Sequence, residues 1–172
     1  MTRRYIHSSQ STWEIADLLQ SIFVSELLNP SHSLWIVSPW ISDIQVIDNR
    51  SNQFVTIEPE WANRMVLLSE VIAKLVDLGT RVIVGLKKDE PHNPAFISKL
   101  DQRIVNSPYL RVIPRSLLHA KGIISDRFYL SGSMNITFNG ISLNDETVLF
   151  VTDVEEVAHN RISFMEKWGY IE

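Results

Sequence analysis

Residues 117–137, LLHAKGIISDRFYLSGSMNIT, hold a histidine and a lysine two positions apart, then an aspartate, then a Gly-Ser-x-Asn turn. AKGIISD and FYLSGS read as two strands joined tightly. Side chains at i and i+2 of a strand share a face, so His119 and Lys121 are expected to project together at a sheet edge. Lysine is a compact positive charge suited to a phosphate oxygen. Histidine is the side chain that most readily acts as nucleophile, base or acid near neutral pH. Gly132 lets the backbone turn closely around an anion, to which the Ser133 hydroxyl and Asn135 amide can donate. The stretch therefore predicts a cradle for a phosphoryl group with a nucleophile attached.

Strand and helix signals alternate on either side of it. Downstream, ETVLFVT (146–152) reads as a strand and Val154–Trp168 as a closing helix. Upstream, LRVIPR (110–115) and RVIVGLK (81–87) read as strands separated by a short helix over 94–105. A helical pattern from Glu60 to Leu78 ends on Gly79 as its cap. SLWIVSPW (33–40), an apolar run ended by proline, reads as a buried strand. Ser11 to Glu14 makes a capping box ahead of Ile15, Leu18, Leu19, Ile22 and Phe23, a helix that should stop near Asn29-Pro30. Within 44–60, IQVID and QFVTIE flank NRSN and predict a β-hairpin excursion. Arg3 and Arg4 are read as part of a tail. Strands alternating with helices of this length imply an α/β layered fold. No repeat or linker interrupts the chain, so one domain over 1–172 is expected.

A hydrophobic share of 45% with 21% charged residues is ordinary globular composition. The net charge of −4 excludes a strongly basic protein that coats nucleic acid, but not a local basic groove. Arg103, Arg111, Arg115, Lys121 and Arg127 stand against one acid, Asp126, between 103 and 127, which predicts positive charge gathered at the candidate site. Scattered, solvated strand ends are the rival explanation. With no cysteine there are no disulfides and no thiolate ligands or nucleophiles. No apolar run approaches the roughly 20 residues of a membrane span, and polar residues follow Arg3 and Arg4 where a signal core would begin. A soluble, cytoplasmic protein is expected.

HAKGIISD followed by GSMN resembles the H-x-K-x4-D…G-S-x-N signature of the phospholipase D superfamily. The resemblance implies a phospholipase D-like domain, with a mixed β-sheet flanked by helices on both faces. It implies that His119 is the nucleophile, forming a phosphohistidine. Lys121, Ser133 and Asn135 match the phosphate-binding positions. Asp126 matches the motif aspartate, with a structural acid at a strand end as the rival. Glu146 stands about where related single-motif nucleases carry an acid that orients the histidine through its second ring nitrogen; a solvated glutamate is the rival. Five residues separate Asp126 from Gly132, where the family more often has six, so the turn should be tighter by one residue.

An in-line displacement needs a nucleophile on one side of phosphorus and a proton donor on the other. The superfamily uses two copies of the motif, and this chain has one. None of His7, His32, His92 and His159 sits in a second H-x-K setting. The second imidazole should therefore come from a homodimer partner across a two-fold axis, which would place the active site at that interface. Two lysines facing one phosphate would neutralise it without a metal, and no cofactor is expected. Nucleic acid is the expected substrate, DNA favoured over RNA. The alternatives are a phospholipid phosphodiesterase or transphosphatidylase, and a weakly active nucleic-acid-binding subunit of a larger complex containing other proteins. Among lesser candidates, Trp40 is expected chiefly as a core residue, with stacking on a base or sugar as its functional alternative. Lys87 and Lys88 are expected as a solvated strand end, and Thr137 and Asn139 as capping residues or further phosphate contacts.

Overall fold

The structure is a computed structural model and describes residues 3–7 and 12–170, Thr12 by its backbone alone. In chain order the elements are β1 (Arg3–His7), α1 (Thr12–Leu28), β2 (Ser33–Val37), β3 (Gln45–Asp48), β4 (Met65–Leu67) and α2 (Leu68–Asp77). They continue with β5 (Arg81–Lys87), α3 (Asn93–Arg103), β6 (Leu110–Arg115), β7 (Gly122–Ile124), β8 (Tyr129–Gly132), α4 (Phe138–Ser142), β9 (Thr147–Val151) and α5 (Val154–Trp168). Seven strands form one sheet in the order β1-β9-β8-β7-β2-β5-β6. Strands β2, β5 and β6 run parallel, and the remaining neighbours are antiparallel, so the sheet is mixed as expected.

Both faces of the sheet are covered. On one, Ile36, Val84, Ile123 and Leu130 pack with Ile15, Leu19 and Phe23 of α1, Val71, Ile72 and Leu75 of α2, and Phe96 and Leu100 of α3. On the other, Trp35, Val37, Ile83 and Ile124 meet Trp168 and Phe164 of α5. The alternation of Trp35 and Val37 with Leu34 and Ile36 explains why β2 reads as an unbroken apolar run. Its two faces are both buried. Gly85 is what lets α5 lie close: a Cβ there would stand 2.6 Å from the Trp168 ring.

Four expectations are corrected. Arg3 and Arg4 belong to β1, paired along its length with β9 from Arg3↔Val151 to His7↔Thr147. A short, polar edge strand that buries only Ile6 carries too little apolar alternation to be recognised. The hairpin forms between β3 and β4, not with QFVTIE. The buried Asn49 amide closes that loop instead, donating to the Trp61 carbonyl at 2.9 Å and accepting the Phe54 N–H at 2.8 Å. The helix expected from Glu60 starts at Leu68, after a 3-10 turn at Pro59–Trp61 and β4. Glu70 sets that start, accepting the Leu67 N–H at 2.9 Å and pairing with Arg64 at 2.8 Å. Finally, β7 begins at Gly122, so His119 and Lys121 precede the strand. The capping-box residue Ser11 lies outside the described residues.

Candidate active site

Strands β2, β5, β6 and β8 end on one edge of the sheet, and β7 and β9 begin there. In open α/β sheets, ligands bind at such an edge, outside the carboxyl ends of the parallel strands. The pairings Val37↔Gly122 and Gly122↔Ser131 carry Ser38, Lys121 and Gly132 into one row on that edge. Leu118 packs under α5, whereas Lys121 lines a small cleft on the opposite face with Leu130, Met134, Ile136 and Val148. Lys121 Nζ donates to the His119 carbonyl at 2.9 Å, which ties the lysine charge to the histidine backbone. The His119 side chain is exposed.

Ser133 follows the end of β8. Its N–H donates to the Thr147 carbonyl at 3.0 Å, its Oγ accepts the Thr147 N–H at 3.0 Å, and its hydroxyl proton is directed at the Glu146 carboxylate. Glu146 is buried and also accepts from Asn144 Nδ2 at 3.3 Å. A hydroxyl has one proton, so Ser133 must swing that proton away from Glu146 before it donates to an anion. Gly132 is required by this close approach: a Cβ there would stand 2.0 Å from the Thr147 carbonyl oxygen. Asn135 is placed from two sides. Ser38 Oγ lies 3.3 Å from its Oδ1, and Gly140, where a Cβ would come within 2.3 Å of the Asn135 carbonyl oxygen, lets α4 start against it.

His119, Lys121, Ser133, Asn135 and Glu146 are thus brought to one edge. Asp126 is not. It stands at the far end of β7, where Oδ2 accepts the His32 N–H at 2.7 Å and Oδ1 pairs with Arg161 of α5 at 2.8 Å. Nor do the cations gather as expected. Arg103 pairs with Glu70 at 3.4 Å and Arg127 with the buried Glu26 at 2.9 Å. Arg111 donates to the Tyr170 carbonyl at 3.3 Å. Arg115, which ends β6, reaches the site edge but also donates to the Lys167 carbonyl at 2.8 Å and lies 5.4 Å over Trp168.

Two residues that organise the edge went unnoticed in the sequence. The buried Ser38 hydroxyl accepts the Ile136 N–H at 3.2 Å and lies 2.8 Å from the Trp40 carbonyl. The buried Asn93 donates to the carbonyls of Pro39 and Lys87, both at 2.8 Å, and accepts the Ile41 N–H at 2.9 Å. Only the position of Ser38 before Pro39-Trp40, at the end of an apolar run, could have marked it. Thr137 caps α4, its Oγ1 accepting the Gly140 N–H at 3.1 Å. Lys87 pairs with Glu90 at 2.7 Å, and its hydrogen bond, with a second from Trp40, holds the Glu90 carboxyl below its usual pKa. Among the described residues no helix is long and apolar enough to cross a membrane.

Fold and site define an α/β protein whose histidine, lysine, serine and asparagine stand along the carboxyl edge of a mixed sheet. A family model described as "Cardiolipin synthase, PLD-like domain" matches residues 24–168, and the chain belongs to that family. No curated protein matches it. Among solved structures, NucT from Helicobacter pylori is 17% identical with a TM-score of 0.63, over 96% of this chain and 94% of that one. Nuc from Salmonella typhimurium, a phospholipase D family member, is 11% identical with a TM-score of 0.63, over 97% and 93%. The phosphatidylserine synthase of Haemophilus influenzae is 16% identical with a TM-score of 0.57, over 96% of this chain but 37% of that one. The family membership supports phosphodiester cleavage or transfer as the chemistry.

Proposed function

We propose that the protein is a metal-independent phosphodiesterase that cleaves nucleic acid, DNA in preference to RNA, as a homodimer. A His119 ring nitrogen attacks phosphorus while the P–O bond to the leaving strand breaks. A protonated imidazole, the partner's copy of the same histidine, gives its proton to the departing oxygen. Water then attacks the phosphohistidine, giving its proton to the partner's imidazole as the P–N bond breaks, which returns His119 and releases a phosphate-ended strand. Lys121 and Asn135 face the equatorial oxygens, where charge builds in the transition state. Ser133 joins them once its proton leaves Glu146. The observation that carries this proposal is the convergence of exposed His119 with Lys121, Ser133 and Asn135 on one edge.

Labelled single- and double-stranded DNA and RNA, incubated with EDTA present, test it. Cleavage by the wild type should survive chelation, and His119→Ala should lose turnover while still binding. Cleavage abolished by EDTA would contradict the metal-free mechanism, and a His119→Ala variant as active as wild type would remove the nucleophile. A lipid reading has one observation in its favour. An apolar groove of about 720 Å³, lined by Trp13, Ile44, Met65, Leu67, Phe138 and Ile141, opens beside the Ile41–Ile136 bridge. Turnover confined to phospholipid vesicles would establish that alternative.

A further inference from the structure

We infer that Trp40 is a stacking platform for the nucleobase beside the scissile phosphate, so that the substrate strand is unpaired at that point. This rests on the nucleic-acid proposal above. Trp35, Trp61 and Trp168 are at most 3% exposed, but Trp40 is 45% exposed and sits at the candidate active-site edge. Its core role is therefore slight. An aromatic ring left uncovered by its own chain beside a catalytic edge, and held there, is available to a ligand.

The ring is held by its backbone and by its polar edge. Pro39 cannot donate to the ladder that ends β2, so the chain turns out over the end of β5. The Pro39 carbonyl accepts the Lys87 N–H at 3.2 Å and Asn93 Nδ2 at 2.8 Å, and the Ile41 N–H donates to Asn93 Oδ1 at 2.9 Å. The indole lies near the Glu90 carboxylate and helps hold it below its usual pKa, and that carboxylate is itself tied to Lys87 at 2.7 Å. These contacts use the backbone and the N–H edge of the indole. A platform fixed in advance loses little entropy when a flat partner settles on it.

Its neighbours suit a polynucleotide. The Ser38 hydroxyl that lies 2.8 Å from the Trp40 carbonyl also reaches Asn135 at 3.3 Å, so the platform adjoins the position expected to hold the phosphate. On its other side the Lys88 N–H donates to the Arg115 carbonyl at 2.8 Å, which sets the Lys88 backbone beside the platform, while the Arg115 guanidinium turns to α5, onto the Lys167 carbonyl at 2.8 Å. Two acids stand there as well, Asp89 and Glu90, and Lys87 neutralises the latter. A base inside a duplex already stacks on both faces. Only an unpaired or extruded base can use this ring, and such stacking tolerates any base identity.

The test uses full-length protein carrying His119→Ala, so that the probe survives, with a fluorescent single-stranded DNA oligonucleotide and the same sequence as a duplex. Adding Trp40→Ala should weaken single-strand binding about tenfold, within the range of about 5- to 150-fold that one base–aromatic stack represents. Trp40→Phe should recover most of that loss and controls for folding. An oligonucleotide with one abasic site, moved along the strand, should weaken the Trp40 protein at one position and leave Trp40→Ala indifferent there. Equal affinity with and without the ring, or an equal loss on the duplex, would overturn the inference. If the His119→Ala parent binds no oligonucleotide but does bind vesicles of anionic phospholipid, the nucleic-acid proposal fails and takes the platform with it.

Discussion

Asp126 matches a motif position yet stands away from the site, and replacing it with alanine separates the two roles. The three residues of β7 alone span about 10 Å between Lys121 and the segment holding Asp126. What Asp126→Ala removes is an acceptor shared by β2 and α5: the His32 N–H at 2.7 Å and the Arg161 guanidinium at 2.8 Å. A hydrogen bond to a charged group contributes about 1.5–3 kcal/mol. The ion pair, with side chains 26% and 23% exposed, falls between a surface pair at about 0–1 kcal/mol and a buried one, whose breakage costs about 3–5 kcal/mol. Allowing for overlap between the two contacts, the expected loss is roughly 3 kcal/mol. For a chain of this size that is a fall in Tm of roughly 6–12 °C. Urea titration followed by circular dichroism measures the loss, and cleavage rate per folded molecule well below the melting range measures the site. Stability should fall and the rate should hold. Unchanged stability with a rate collapsed to that of His119→Ala would mean that Asp126 acts on the reaction, and the structural assignment would be wrong.

Three further outcomes are expected. Gly132→Ala forces a Cβ against the Thr147 carbonyl, so β8 and β9 must separate and the Ser133–Glu146 contact is lost; activity should fall at least about tenfold and stability by about 1–3 kcal/mol, read from assay and melt together. Lys121→Ala should lower turnover by roughly 10²–10³-fold with a small change in affinity, because the lysine meets charge that peaks in the transition state; equal turnover would remove it from the site. Burial pushes the Glu70 carboxyl up, but the hydrogen bonds from Arg64 and the Leu67 N–H, with the charges of Arg64 and Arg103, outweigh it and hold the pKa below the usual glutamate value. Its contribution is therefore complete above the unfolded value and is lost as pH falls through the folded one. Glu70→Gln should be less stable at neutral pH, and its acid melting profile should lack that component of the slope.

Much of the architecture was legible because buried strands write themselves as local patterns. The runs at β2, β5 and β6 and the pattern of α5 needed no knowledge of their neighbours. Elements whose stability is borrowed were not legible. β1 exists because β9 offers it an edge, and its residues alone look like a charged tail. QFVTIE has strand composition, yet the Asn49 amide, distant from Trp61 in sequence, draws the loop into another shape. The Leu118–Lys121 segment has strand-like alternation, but the pairing of β7 with its neighbours starts only at Gly122.

The site divides along the same line. His119, Lys121, Ser133 and Asn135 lie within one short stretch, and their residue types and spacing were enough to nominate them and the chemistry they support. Sequence proximity also nominated Asp126 and a cluster of arginines, and there the rival expectations, a structural acid at a strand end and dispersed cations, fit the packing better. One short strand carries the chain from one end of the sheet to the other: Lys121 and Asp126, close in sequence, finish at opposite ends of β7. The converse holds for Ser38 and Asn93, which are remote in sequence from Asn135 and from each other. Only pairing and packing bring them to the edge where Trp40 is held. Side-chain chemistry is a local property and can be read along the chain; which groups share a cleft depends on long-range contacts that no single segment contains.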